Sequence, residues 1–230
     1  MLLLSIDTST RGCSVAVHQD SVLLAAYELN SDKSASSMLT TLMQSAVEQT
    51  GYTLKDLDAI AVAKGPGSYT GLRVAVSTAK GLCYALDKPL IAINTLQAMA
   101  WQVLPFFGPE FRFCPMIDAR RMEVYASVFD SEGEIVTPTE AVIMDEYSFE
   151  EQLAGNKIVF FGDGAAKCAS LLSSNPNAVF IQGEIRPSAK TVGCLAAKSY
   201  QANNFEDLAS FEPYYLKDFM TPPPRKAALI

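Results

Sequence analysis

A single histidine, His18, stands among the 230 residues. Zinc hydrolases of the HExxH kind need two imidazoles on one helical face, so that chemistry is excluded unless carboxylates alone hold a metal. His18 falls near a turn on an expected strand and reads as an ordinary surface or half-buried side chain. Paired cysteines are lacking too. Cys13, Cys83, Cys114, Cys168 and Cys194 are odd in number and widely spaced, with no CxxC, which points to reduced, mostly buried thiols in a cytoplasmic protein. No apolar run approaches the roughly 20 residues that cross a bilayer. Met1-Leu2-Leu3-Leu4 has no basic flank and soon meets Asp7, so no ordinary signal peptide and no membrane association are expected. Positive charge is scarce: 18 Lys and Arg against 25 Asp and Glu give a net charge of −7 and a pI near 4.8. Such a chain repels phosphate backbones, so any RNA it works on should be held chiefly by something else. The phosphate-loop pattern GxxxxGK[ST] is absent as well.

Apolar side chains, by contrast, make up 49% of the chain, with a mean hydropathy of +0.15. A sizeable core is expected, with a surplus that either the core or a subunit interface can absorb.

The chain reads as one α/β unit written twice. Leu2 to Ile6 form an apolar run ending at Asp7, and Cys13, Val15 and Val17 alternate with smaller or polar neighbours as a second strand. A third strand spans Val22 to Glu28. Ser34 is a candidate cap for a helix on which Met38, Leu39, Leu42, Met43, Ala46 and Val47 recur at helical spacing, ended by Gly51. Asp58 to Ala63 reads as a buried strand, Gly71 to Leu86 as a second helix and Leu90 to Ile93 as a strand; Thr95 then caps a short helix through Leu104. Phe113 to Ile117 restarts the scheme, again ending in Ile-Asp, with Ala119-Arg120-Arg121 as the turn. Strands around Val124 to Val128 and Ile135 to Val142 follow. Next come a helix over Asp145 to Leu153, a strand at Ile158 to Phe161, a helix from Ala165, a strand at Val179 to Ile181 and a helix from Ser188. Two copies so far apart in sequence indicate a duplicated α/β fold of two βββαβα lobes, residues 1–106 and 107–219, with a loose tail over 220–230 where three prolines stand together.

Two segments carry possible chemistry. Asp7 and Thr8 at the first strand end are placed as a phosphate loop places them, with a carboxylate for hydrated magnesium and hydroxyls for phosphate; equally, they satisfy turn amides. Gly65-Pro66-Gly67-Ser68-Tyr69-Thr70-Gly71-Leu72-Arg73 is an unusual loop, whose Gly67, Ser68, Thr70 and Arg73 are candidate nucleotide or anion contacts at a helix start. With no acid, base or nucleophile beside it, a rigid strand-to-helix connection is the stronger reading. Gly162-Asp163-Gly164 is a weaker candidate of the same kind. No catalytic residue, no metal-binding residue and no cofactor is expected.

Four segments together resemble the TsaB (YeaZ) family, the dimerisation subunit of bacterial threonylcarbamoyladenosine synthesis: Ser5-Ile6-Asp7-Thr8-Ser9-Thr10, Asp58 to Val62 with the loop Gly65 to Arg73, Ile117 to Tyr125, and Pro213-Tyr214-Tyr215-Leu216-Lys217. The resemblance is dense to about residue 130 and thinner beyond. It implies a duplicated actin/Hsp70-like (ASKHA, ribonuclease-H-like) fold. It also implies a non-catalytic subunit that pairs with the catalytic paralogue TsaD, supports the ATPase TsaE, forms homodimers when alone and meets tRNA only through the complex, which modifies adenosine 37. Carried over, the first two helices become the partner surface, with Met38, Leu39, Leu42, Met43 and Ala46 on one and Leu72, Ala75, Val76, Ala79 and Cys83 on the other, and Leu39 at its centre. Relatives often carry His in place of Ala35 and Pro in place of Thr41, so no histidine chemistry is available there. Two other readings compete: an ATP-dependent small-molecule kinase or ATPase of the same fold, and a glycopeptidase, against which the lone histidine speaks.

Overall fold

The computed structural model describes residues 1–31 and 35–217; the expected cap Ser34 and the tail 220–230 lie outside them. The first unit runs β1 (Leu2–Asp7), β2 (Cys13–Gln19), β3 (Val22–Leu29), α1 (Ala35–Glu48), β4 (Ala59–Gly65), α2 (Tyr69–Leu86), β5 (Leu90–Asn94) and α3 (Thr95–Val103). The second runs β6 (Phe111–Asp118), β7 (Glu123–Phe129), β8 (Ile135–Ile143), the single turn α4 (Glu150–Leu153), β9 (Lys157–Phe161), α5 (Ala165–Leu172), β10 (Ala178–Phe180) and α6 (Ala189–Gln201). Each unit builds a five-stranded sheet, β3-β2-β1-β4-β5 and β8-β7-β6-β9-β10. In both, the first three strands pair antiparallel and the last two run parallel to the first. Identical order and direction in both sheets make the duplication explicit.

Central strands are buried on both faces and so read as continuous apolar runs. In β1, Leu2, Leu4 and Ile6 join the core under α1 and α2, while Leu3 faces the opposite cluster. β4 follows the same period: Ile60 and Val62 face α1 and α2, and Ala59, Ala61 and Ala63 turn away.

Those alanines leave room for a helix from the far end of the chain. α6 lays Val192, Leu195, Ala196 and Ala197 on the first sheet, not on the second. Gly193 marks the crossing. A Cβ built there would lie 2.3 Å from His18 Nδ1 and 2.9 Å from Ser5 Oγ. His18 is therefore fully buried beneath α6, where sequence reading places it at or near the surface. Conversely, α3 packs Leu96, Met99, Ala100 and Val103 on Phe113, Phe129, Val159 and Phe161 of the second sheet. A division near residue 106 cuts across this exchange of helices.

Two further expectations are revised. The cap of α3 is Asn94, whose Oδ1 accepts from the amides of Leu96 (2.8 Å) and Gln97 (3.2 Å); Thr95 is the first helical residue. The helix expected from Asp145 shrinks to one turn. The Asp145 carboxylate takes the Tyr147 amide and the Ser148 hydroxyl into a local turn, and Phe149 sits at φ 64°, which ends any continuous helix.

Candidate functional site: the glycine loop, its clasp and the paired helices

β4 ends in the glycine loop, and three glycines show why the loop needs them. A Cβ on Gly65 (φ 116°) would meet Tyr214 O at 2.7 Å. One on Gly67 would meet Ser9 O at 2.2 Å, and one on Gly71 would meet Thr8 O at 2.0 Å. The loop is thus pressed against the β1–β2 turn. Ser68 N donates to Ser9 O (2.6 Å), Thr8 Oγ1 donates to Gly71 O (2.6 Å), and the Ser68 hydroxyl caps α2 by accepting from Gly71 N (3.3 Å).

Asp7 sits at the root of this clasp. Its Oδ1 accepts from the Ser9 amide (2.8 Å) and hydroxyl (2.6 Å), while Oδ2 is sealed from solvent with no partner among the described residues. Burial pushes the carboxyl up to about 6, against the pull of the Ser9 bonds. Beside Asp7 opens a polar cleft of about 380 Å³ walled by Arg11, Ser14, Glu28, Arg186 and Lys190. Lys190 pairs with Glu28 at 2.9 Å and draws the Glu28 carboxyl down, and Arg186 pairs with Glu184. Gly67, Ser68, Thr70 and Arg73 do not line this cleft. The six candidate anion contacts are therefore not gathered around one space. Thr8 is held by Gly71, Gly67 and Ser68 lie against Ser9, Asp7 is buried at the edge of the cleft, and Thr70 and Arg73 are exposed on α2, with Arg73 5.4 Å from the Tyr69 ring centre.

The second unit repeats the arrangement with different fillers. Asp118 Oδ1 accepts from the Arg120 amide (2.8 Å), as Asp7 does from Ser9, but it also pairs with Lys167. Gly162 (φ 98°) and Gly164 let the β9–α5 turn lie on the end of β6: added Cβ atoms would stand 2.3 Å from Met116 O and 3.0 Å from Ile117 C. Gly162-Asp163-Gly164 is thus the counterpart of the glycine loop, and Asp163 Oδ1 accepts from Asp118 N (2.8 Å).

Sequence reading gave no role to the segment that ties the units together. Glu206 N donates to Leu90 O at the edge of β5, and Lys80 holds Phe211 O (2.8 Å). Tyr214 N donates to Lys64 O (2.7 Å), and its hydroxyl reaches Thr139 O (3.2 Å) on β8. Tyr215 stacks on Tyr69, ring centres 4.6 Å apart, and Lys217 pairs with Glu123 on β7.

The ten expected partner-helix residues also divide. Leu39, Met43, Ala46, Leu72, Ala75, Val76, Ala79 and Cys83 are buried in the chain's own core against the first sheet, and Leu42 is half-buried on the same cluster. Of the ten, only Met38 is exposed, at 37%. The apolar stripe seen in the sequence is the face that holds each helix to its own sheet. Outward, α2 shows Arg73, Ser77, Gly81 and Ala85 at four-residue spacing, with Tyr84 beside them 85% exposed. Nothing lies within 4 Å of a Cβ built on Gly81.

Comparison with known proteins finds relatives along nearly the whole chain. The family model for tRNA N6-adenosine threonylcarbamoyltransferase, TsaD, matches residues 28–229. The tRNA threonylcarbamoyladenosine biosynthesis protein TsaB of Escherichia coli K12 is 30% identical over 224 residues, 95% of each chain. TsaB of Haemophilus influenzae is 30% identical over 230 residues, 96% of this chain and 95% of its own. The solved structure of YeaZ from Pseudomonas aeruginosa superposes with a TM-score of 0.79 at 26% identity, covering 94% of this chain and 99% of that one. A threonylcarbamoyltransferase of Clostridium perfringens is 46% identical, but over 59 residues, 26% of this chain and 17% of its own.

Proposed function

The chain belongs to the TsaB (YeaZ) family, with its duplicated actin-like (ASKHA) fold, and from that premise we propose that it is the non-catalytic scaffold subunit of tRNA threonylcarbamoyladenosine synthesis. It binds the catalytic TsaD, supports TsaE, self-associates when alone, and acts in the cytoplasm on adenosine 37 of tRNA through that complex. The observation that carries this reading is the likeness to TsaB proteins along 95% of the chain.

A scaffold role is supported by what fills the two loops. A kinase of this fold needs open phosphate loops and a carboxylate for magnesium. Here the glycine loop lies against the carbonyls of Thr8 and Ser9, and the counterpart carboxylate Asp118 is tied to Lys167. The clasp instead fixes the start of α2 relative to β1.

The partner surface is the outer face of α1 and α2, built on Met38, Ser77, Gly81, Tyr84 and Ala85 in place of the buried stripe. Small residues there admit a partner helix closely, and Tyr84 supplies an exposed aromatic anchor. Binding the active conformation of TsaD more tightly than its inactive forms shifts that population, through an interface of about 1,200–2,000 Å². Titration of Tyr84→Asp against TsaD tests the surface. A loss of about 2 kcal/mol or more, with unchanged thermal stability, is expected of an anchor residue. Wild-type affinity in that variant removes α2 from the interface.

A further inference from the structure

The hairpin between β6 and β7 holds two residues in an unfavourable backbone conformation. Arg120 and Arg121 both adopt left-handed backbone, φ 70° and 50°. Two non-glycine residues there store about 1 kcal/mol or more each, and such strain persists only where surrounding structure enforces it. Lys167 is the enforcing group. Its ammonium gives all three hydrogens to this turn, to Asp118 Oδ1, Arg121 O (2.7 Å) and Glu123 O (2.7 Å). The product is a rigid turn presenting two exposed guanidiniums, neither of which forms an ion pair among the described residues.

From this turn a ridge of alternating cations and tyrosines leads to α2. Glu123 holds Lys217, which lies 5.9 Å over the Tyr125 ring. Two residues earlier, Tyr215 stacks on Tyr69, and the Arg73 guanidinium lies 5.4 Å from the Tyr69 ring centre. Arg73 is exposed and likewise without an ion pair among the described residues. Three guanidiniums without an ion pair among the described residues thus lie along one line, on a chain of net charge −7.

We propose that this ridge, Arg120 and Arg121 at one end and Arg73 with the Tyr69–Tyr215 stack at the other, is a contact surface for the phosphate backbone of an RNA strand. The deduction rests on the tRNA-modification reading above. Guanidiniums grip phosphates through paired donors, and the tyrosine faces add stacking for an unpaired base. An acidic protein surface would satisfy the arginines but would not use the rings. Net repulsion elsewhere on the chain confines the contact to the assembled complex, where TsaD supplies the remaining affinity.

The test is tRNA binding by the complex of this chain with TsaD across a salt series, alongside the mass of the complex. The variant is Arg120→Gly with Arg121→Gly, since glycine accepts the left-handed backbone and the turn should keep or gain stability. Loss of two phosphate contacts should weaken tRNA binding about 10- to 30-fold at 0.15 M salt and flatten the log–log salt slope by about 1.4–1.8. Arg120→Lys with Arg121→Lys should restore most of the slope. Unchanged affinity and slope in an intact complex overturns the ridge and leaves the scaffold reading standing. Loss of TsaD binding with an unchanged slope also overturns it, by making the ridge a protein contact. Failure of the wild-type chain to assemble with TsaD removes the scaffold reading itself.

Discussion

Gly81 offers a perturbation whose two effects point in opposite directions. It lies in the interior of α2, exposed, and an added Cβ there meets nothing within 4 Å. Glycine in a helix interior is about 1 kcal/mol worse than alanine, because its backbone loses more freedom on folding. Within the chain alone nothing offsets that, so Gly81→Ala should stabilise the isolated protein by about 1 kcal/mol. For a chain of this size that raises Tm by about 2–4 °C. If the four-residue stripe Ser77, Gly81, Ala85 is where a partner helix crosses, the added methyl enters a tight contact. Overpacking of that kind costs about 1–3 kcal/mol, or about 5- to 150-fold in affinity. Differential scanning calorimetry of the isolated chain and a titration against TsaD read the two effects separately. A stabilised variant that binds TsaD as wild type does would refute the close-crossing argument. A destabilised variant would contradict the open environment of Gly81 itself.

The remaining predictions concern the interior. Because the folded carboxyl of Asp7 lies near 6 against 3.8 unfolded, folding binds its proton more tightly and stability from this group falls as pH rises from about 4 to 6. Asp7→Asn should therefore exceed wild type by up to about 3 kcal/mol at pH 7.5, with the gap closing by pH 4 in urea titrations; a pH-independent gap would discredit the buried, ionised Asp7. Gly71→Ala drives a Cβ to within 2.0 Å of the Thr8 carbonyl, and should lose about 3 kcal/mol of stability despite alanine's better helix propensity. Leu39→Glu places a charge at a fully buried site and should cost about 4 kcal/mol or more of folding free energy. A stable Leu39→Glu that merely loses its partner would return Leu39 to the interface.

The strands were readable because alternation and run length report burial directly, and the doubled Ile-Asp ending exposed the repeat. The structural role of the glycine loop was readable as well, since three glycines in seven residues point to close backbone approach, here at Thr8, Ser9 and Tyr214. The helix exchange was not. α6 meets the first sheet through small residues, Gly193 over Ser5 and Ala59, Ala61 and Ala63 beneath, which carry no local signal. The burial of His18 follows from the same crossing. The helix faces misled for a definite reason. An apolar stripe reports burial without naming what buries it, and Leu39, Met43, Ala75 and Ala79 are buried by their own sheet. The outer face of α2 shows Ser77, Gly81 and Ala85 beside Tyr84, a pattern that hydrophobic periodicity passes over. The Pro213–Lys217 strap matched a motif, but its principal bonds use backbone groups such as Tyr214 N and Lys64 O, which no residue type announces.

The central claim is that this chain is a scaffold whose α1–α2 face is shared between copies of itself and TsaD. Multi-angle light scattering with and without the organism's own TsaD tests it most directly. The account predicts a homodimer that gives way to a one-to-one heterodimer as TsaD is added. A monomer whose mass does not change with TsaD would contradict it.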